Sequence, residues 1–388
     1  MAHGGHARYT HELLSALSMV GLDKGVQVSL VTSQDLSPNF RTPLYTIYDI
    51  LPPLKPRAAF SNSVQWAWSR TLHYLKRERI FLRWIEQNEE IQGVHIQDYQ
   101  PWQAPRTFRF LKARGKLLFG TVHNVYNHWY YPGIPRTIQY SWDRVAWNLC
   151  DALFVHTEGM RDQVSEFLGK GHPPIFVQPH GARNDADSLA GALSYEERIQ
   201  CKRLLFFGII RPNKGLDVLL RAMEGLPDYT LTIAGEPLER GYKEHIRALV
   251  DKLPPTQVKL IDRFIEEDEI DPLFAQSSLL ILPYTTDFAG QSGVLHLAVA
   301  YGLPVVATDV GAVGESLRRW NIGRLAPPNE PTALAGAIQE MFAPQCYWQA
   351  SRALAQVRND TSWTRAAEIL VGTYHSTWQH SQVKEISK

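Results

Sequence analysis

The sequence predicts an α/β protein of two doubly wound domains, and three observations predict it. With 388 residues the chain is too long for one ordinary core. Short apolar runs alternate along it with longer stretches of helical period, the mark of parallel α/β construction. A polar, small-residue stretch, Gly181 to Gln200, divides two such series. The expected boundaries are a first domain at 1–181, a linker at 182–200, a second domain at 201–345 and closing helices at 346–388. Ligands in such sheets bind beyond the carboxyl ends of the strands, so a cleft between the domains is the default location for a site.

The elements follow in order. The chain opens on a glycine pair and a helix, Ala7 to Leu17, with no room for a strand before them. Either the start lies upstream or the first sheet lacks its first strand. Strand candidates in the first half are VQVSLVT from Val26, LYTIYDI from Leu44, VHIQ from Val94, KLLFGTV from Lys116, ALFVHT from Ala152 and IFVQ from Ile175. In the second half they are RLLFFGII from Arg203, YTLTIAG from Tyr229, QVKLID from Gln257, LLILPY from Leu279, PVVATD from Pro304 and GRLAP from Gly323.

Composition narrows the class. Hydrophobic residues make up 44% and charged residues 20%, which is globular rather than disordered. The net charge is +1, so no global field recruits nucleic acid and no nucleic-acid partner is expected. Cys150, Cys201 and Cys346 are widely spaced and odd in number, which gives neither a disulfide framework nor a thiolate metal site. A reducing compartment fits. Without a signal peptide or an apolar run long enough to span a bilayer, the expected location is cytoplasmic, with peripheral membrane contact left open.

Two stretches carry the chemistry. In FFGIIRPNKGLDVLLRAM, Phe206 to Met223, an apolar run from Leu204 to Ile210 gives way to a helical pattern at Leu216, Leu219, Leu220 and Met223. Arg211 and Lys214 fall on the loop between them. A guanidinium fork, a compact ammonium and the amides of the helix beginning near Gly215 together suit a diphosphate. On spacing alone, a solvated loop with two surface cations is the simpler reading. The second stretch is DFAGQSGVLHLAVAYGLPVVATDVGAVGE, Asp287 to Glu315. Its Gly290-Gln291-Ser292-Gly293 precedes a helix, Val294 to Tyr301, and lets backbone amides approach an anion at the helix's positive end. Taken alone it also reads as a tight turn with Ser292 as N-cap.

In combination, GIIRPNKGLDVLLRA and, about seventy residues on, GQSGVLHLAVAYGLPVVATDVGAVGE resemble the family-4 retaining glycosyltransferases of the GT-B fold. IAGEP at Ile233 to Pro237, PHG at Pro179 to Gly181 and GGHARYTHELLSAL from Gly4 are similar as well. SWTRAAEILVGTY, Ser362 to Tyr374, resembles the closing helix that in this family crosses back onto the first domain. The resemblance implies two Rossmann-like domains and transfer of a sugar, with retained configuration, from a nucleoside-diphosphate sugar to an acceptor. That acceptor could be a glycan, a lipid-linked species or a small molecule. No cofactor or metal is implied. Arg211 and Lys214 would hold the donor diphosphate as charge builds during bond cleavage, with His123, at a strand end, near the reacting sugar. Gly290, Gln291, Ser292, Gly293, Val294, Asp287, Glu236 and Pro237 would bind donor, joined by Gly4 and Gly5 of the first domain.

The sequence also departs from that family. Many members carry two glutamates separated by seven residues, where alignment here places Ala289 and Leu297. Neither side chain can accept a hydrogen bond. Asp287 and Gln291 could replace the first contact, and nothing evident replaces the second. This leaves a rival reading, a binding or regulatory subunit that kept the scaffold and lost catalysis. A GT-B epimerase or phosphorylase has no motif in its favour.

The remaining motifs have plainer readings. Glu315 matches a recurrent family position and also reads as an ordinary helix N-terminal glutamate. His123 reads equally as a strand-end histidine bonded to backbone, and His123 with His128 makes a weak metal pair for want of a third ligand. His180 reads as shaping the junction between domains. Asp185 to Asp187 imitates a metal motif but lies in the linker rather than at a strand end, and is rejected. Lys55 to Arg83 holds seven Lys and Arg against one acid, interleaved with aromatics. It reads as a helix packing its aromatics inward, with contact to an anionic membrane or lipid-linked acceptor as the alternative. Glu266 to Glu269 reads as the exposed start of a helix.

Overall fold

A computed structural model describes residues 5–55, 63–125, 134–182, 192–288, 290 and 292–386. In chain order the elements are α1 (Gly5–Leu22), β1 (Ser29–Ser33), β2 (Thr46–Leu51), α2 (Ser63–Gln87), β3 (Gly93–Ile96), α3 (Ala104–Ala113), β4 (Leu117–Thr121), α4 (Arg136–Trp147), β5 (Ala152–Val155), α5 (Glu158–Leu168) and β6 (Ile175–Val177). There follow α6 (Tyr195–Cys201), β7 (Arg203–Phe207), α7 (Leu216–Met223), β8 (Thr230–Ala234), α8 (Arg240–Val250), β9 (Val258–Ile261), α9 (Glu267–Ala275) and β10 (Leu279–Leu282). The chain closes with α10 (Gly293–Ala300), β11 (Val305–Thr308), α11 (Gly311–Trp320), β12 (Gly323–Ala326), α12 (Pro331–Met341), α13 (Pro344–Asp360) and α14 (Trp363–Ile386). Each predicted strand segment contains a strand, and every pairing among the described residues is parallel.

The chain forms two compact units, 1–179 with 363–388, and 180–362. Within the expected tail of 346–388, α13 belongs to the second unit, where Tyr347, Ala350, Leu354 and Val357 are buried in its core. Only α14 joins the first unit, packing Ala366, Ala367, Leu370 and Val371 against Leu13, Ala16 and Leu17 of α1. The expected linker is not uniformly irregular. Ser194 and Glu197 form a reciprocal capping box that starts α6 inside it.

The second unit is one six-stranded sheet in the order β12-β11-β10-β7-β8-β9. Its central strands β10 and β11 are buried at every position, which explains why they read as unbroken apolar runs rather than alternating ones. The reversal of strand order lies between β7 and β10, and the loops that leave these two strands carry the predicted cations and glycines.

The first unit has an interrupted sheet. Among the described residues β1 and β2 pair with each other alone, and β3-β4-β5-β6 form a separate four-stranded sheet. One helix serves both. α1 buries Ala7 beside Leu30 and Ile47 of the small sheet, and packs Leu13 and Leu17 with Leu117 and Phe119 of the large one. Tyr48, next to Ile47 and so on the opposite face, packs its ring tilted against Trp84 of α2, with centroids 4.8 Å apart. The two sheets are therefore halves of one layer, with helices on both faces.

Candidate functional site

The site is built in the second unit from the ends of β7 and β10. β7 stops at Phe207 rather than running to Ile210, because Gly208 turns left-handed at φ 105°. The absent Cβ of Gly235 would lie 1.8 Å from the Gly208 carbonyl oxygen, so the loops after β7 and β8 touch backbone to backbone. The Ile210 amide then donates to the Glu236 carbonyl at 2.9 Å, forming an isolated parallel bridge to Pro237.

Next, Arg211 is extended and Pro212–Lys214 make a single 3₁₀ turn that ends at Gly215, left-handed at φ 63° and N-cap of α7. A Cβ on Gly215 would stand 1.9 Å from the Pro283 carbonyl oxygen. The Thr285 amide donates to the Asn213 carbonyl at 3.1 Å. The loop after β7 is thus locked onto the loop after β10. The Val294 side chain, in the first turn of α10, comes within 3.3 Å of where a Cβ on Gly208 would be. Two stretches far apart in sequence meet at one place.

Lys214 is held in an aromatic box. Its Nζ lies 3.8 Å from the centroid of the Tyr284 ring and 4.1 Å from that of Phe288. Burial, and then the neighbouring Arg211 charge, hold its pKa well below the ordinary lysine value. Tyr284 is itself buried, which pushes its phenol above the usual range and keeps it protonated. Its hydroxyl shares a 2.8 Å hydrogen bond with the Ser292 hydroxyl, and its carbonyl accepts from Thr308. Ser292 therefore occupies the N-cap position of α10 but turns its hydroxyl to Tyr284 instead of capping the helix. That corrects the simple N-cap reading. The first-turn amides of α10 are left without a side-chain acceptor from Ser292.

Three further polar atoms at this place are buried and have no hydrogen-bond partner among the described residues: Nε of Arg211, Oδ1 of Asn213 and Oγ1 of Thr285. Each such group costs about 1–3 kcal/mol unless a partner arrives. Cations, uncapped helix amides and unsatisfied polar atoms on two adjoining loops are the chemistry of an anion cradle.

Of the predicted residues, the structure brings Arg211, Lys214, Gly290, Ser292, Gly293 and Val294 into this region. Gly290 is buried, and Asp287 and Glu236 are exposed on the adjoining loops. Pro237 participates through the bridge to Ile210. Leu297 is partly buried and packs into the apolar cluster around α10. Ala289, Gln291, Gly4, His128 and Asp185 to Asp187 lie outside the described residues. Gly5 opens α1 in the first unit, and Glu315 sits partly buried in α11. Among the described residues no cluster of three metal-ligating side chains occurs, and His128 of the weak His123–His128 pair lies outside them.

His123 follows β4 in the first unit and belongs to a chain of side chains. The His156 Nδ1 donates to the Gln178 carbonyl at 3.1 Å, which makes the His156 Nε2 an acceptor when that ring is neutral. The His123 Nδ1, 3.1 Å away, is then its donor, and the His123 Nε2 meets the side-chain amide of Gln97 at 3.2 Å. A neutral His123 requires that amide to present its NH₂ group. Tyr9 packs edge-on to His123 at 4.9 Å and donates to Gln178 at 3.0 Å. Gln97, His156 and Tyr9 were not evident from sequence, since nothing in their spacing sets them apart.

Helix α2 is split in character. Glu78 and Ile85 are buried, with Glu78 accepting from Gln103, the N-cap of α3, and from Thr107 within it. Towards its start, Trp68 and Leu72 are 66% and 61% exposed. The inward-packing reading holds for the second half of the helix and not for its first. Residues 56–62 lie outside the described residues.

Comparison with known proteins gives the family. A family model described as Glycosyltransferase Family 4 matches residues 3–185, and one described as Glycosyl transferases group 1 matches residues 201–343. The chain belongs to the GT-B glycosyltransferases. A glycogen synthase of Mycobacterium tuberculosis is 26% identical over 234 residues, covering 58% of this chain and 54% of the relative. A D-inositol 3-phosphate glycosyltransferase of Mycolicibacterium gilvum is 30% identical over 173 residues, covering 44% of this chain and 38% of the relative. The chain thus spans about half, or less, of the curated relatives it matches. Among solved structures, sucrose-phosphate synthase from Thermosynechococcus elongatus superposes with a TM-score of 0.74 at 18% identity, over 97% of this chain and 94% of that one. Anabaena HepE, in complex with UDP and glucose, gives a TM-score of 0.70 at 16% identity, over 97% of each chain. At these identities the structural likeness speaks to the GT-B fold.

Proposed function

We propose that this glycosyltransferase moves a sugar, with retained configuration, from a nucleoside-diphosphate sugar to an acceptor. The observation that carries the reading is the cluster of Arg211, Lys214, the α10 amides and three unpartnered buried polar atoms at the ends of β7 and β10. UDP stands in solved neighbours of the same fold, and a uridine diphosphate donor is the first to try. As the sugar–phosphate bond breaks, negative charge grows on the diphosphate, and preorganised cations act most on charge that appears only then. These fixed charges serve where a metal ion would otherwise be needed.

His123 is the first unit's candidate for contact with sugar or acceptor, its ring aligned by His156 and Gln97. The exposed start of α2, with Trp68, Leu72 and Arg70, supports a lipid-linked acceptor or peripheral membrane contact. No helix among the described residues is long and apolar enough to cross a membrane. Free cysteines fit work in the cytoplasm.

The test is UDP release from UDP-glucose by the purified chain over an acceptor panel, beside Arg211→Ala and Lys214→Ala. Turnover that falls about tenfold or more in both variants supports the reading. Turnover unchanged in both contradicts it.

A further inference from the structure

Four residues at the carboxyl ends of the first unit's larger sheet hydrogen-bond in the order of its strands. Gln97 follows β3, His123 stands just past β4, His156 follows β5 and Gln178 follows β6. The chain has a direction, and its far end sets it. Gln178 is fully buried and tied at both ends of its amide, its Nε2 donating to the Pro179 carbonyl at 2.9 Å and its Oε1 accepting from Tyr9 at 3.0 Å. Its main-chain carbonyl can only accept, so the 3.1 Å contact to His156 keeps a proton on the His156 Nδ1. His156 is 6% exposed, and a charge on so buried a ring is costly. The neutral ring turns a lone pair, on Nε2, towards the His123 Nδ1 at 3.1 Å. That lone pair needs a donor, and along this contact only a proton on the His123 Nδ1 supplies one. The Tyr9 ring stands edge-on to both imidazoles, at 4.9 and 5.6 Å between centroids, and hinders the ring flips that would exchange their nitrogens.

We propose that His156 is a positioning residue for the transfer reaction: it fixes the proton of His123 on Nδ1 and so makes the His123 Nε2 a hydrogen-bond acceptor for a substrate hydroxyl. This rests on the reading of His123 as a contact to sugar or acceptor. Gln97, half-buried and 3.2 Å away, holds that nitrogen with its amide until the hydroxyl replaces it. The position then takes a group that carries a proton, and not an ether or a phosphate oxygen, which would set two acceptors face to face.

The experiment reads the tautomer directly, by long-range ¹H–¹⁵N correlation spectra of histidine-labelled protein, and compares two variants. His156→Gln offers an NH₂ to the Gln178 carbonyl and an oxygen to His123, whereas His156→Phe fills the space with neither. His123 should carry its proton on Nδ1 in the wild type and in His156→Gln, and on Nε2 in His156→Phe. The kcat/KM for UDP-glucose should fall about ten- to a hundredfold in His156→Phe and stay within about threefold of wild type in His156→Gln. A wild-type His123 protonated on Nε2, or on both nitrogens, overturns the proposal whether or not the variants fold. So does an unchanged tautomer in a folded His156→Phe, or turnover in that variant within about threefold of wild type. Failure of the transferase reading is distinguishable, since it would abolish turnover in the wild type and leave the spectra as they are.

Discussion

Lys214→Met separates the binding of an anion from the packing of the box that holds this lysine. Methionine keeps an unbranched apolar stem against Tyr284 and Phe288 and removes only the charge. A phosphate oxygen about 4 Å from an ammonium gains roughly 4 kcal/mol at an effective dielectric near 20. Part of this is spent in the wild type on keeping the lysine charged, since burial and Arg211 both disfavour its proton. A net loss of about 2–3 kcal/mol, or roughly thirty- to 150-fold in Kd for UDP, is the expected result. Stability should move the other way or not at all, because relief from a buried, like-charge-flanked ammonium offsets a lost cation–π contact of about 0.5–2 kcal/mol. Titration calorimetry gives the affinity and thermal melting the stability. Proton linkage supplies a second readout. A phosphate raises the lysine pKa, so at a pH between the unliganded and liganded pKa values binding takes up a proton, and affinity weakens as pH rises above the unliganded pKa. The apparent enthalpy should then depend on buffer ionisation in the wild type and lose that dependence in Lys214→Met. UDP binding within threefold of wild type, with unchanged buffer dependence, would refute the reasoning.

Other consequences follow from single contacts. Gly215→Ala needs a left-handed alanine, at about 1–2 kcal/mol, and must also move the Pro283 carbonyl that stands 1.9 Å from the new Cβ. A loss of about 3 kcal/mol in urea titration and a melting point lower by roughly 6–12 °C are expected. Tyr284→Phe keeps the ring against Lys214 and frees Ser292, so UDP affinity should drop about two- to tenfold by calorimetry, much less than in Lys214→Met. In the first unit, burial lowers the His95 pKa from 6.5 to about 3, while its ring nitrogens meet Tyr374 and Thr121. The unfolded chain therefore binds the extra proton first, and this contribution to stability is present above pH 6.5 and lost as pH falls towards 3. Between pH 6.5 and 4.5 the wild type should lose up to about 2–3 kcal/mol more than His95→Gln in urea unfolding, and parallel losses would contradict it.

The fold was legible because buried parallel strands such as β5, β10 and β11 leave unbroken apolar runs, and the part-buried β2 and β6 also fell on predicted segments. Their limits were less legible. β7 ends three residues earlier than its apolar run because Gly208 takes a positive φ that composition does not reveal. The cations and glycines of the site could be read, since few residue types hold an anion. Their partners could not. Tyr284 looked like the end of a strand, and Phe288, Asn213 and Thr285 look like loop residues until β7 and β10 are placed side by side. Ser292 met its positional expectation as N-cap and failed the chemical one, because a tyrosine eight residues upstream competes for its hydroxyl.

The most direct test of the anion cradle is a crystal structure of this chain with UDP bound. The account predicts the diphosphate within hydrogen-bond reach of Arg211 and Lys214, with the amides of Gly293 and Val294 turned towards it. A diphosphate bound elsewhere, with Lys214 still enclosed by Tyr284 and Phe288 and touching no phosphate oxygen, would contradict it.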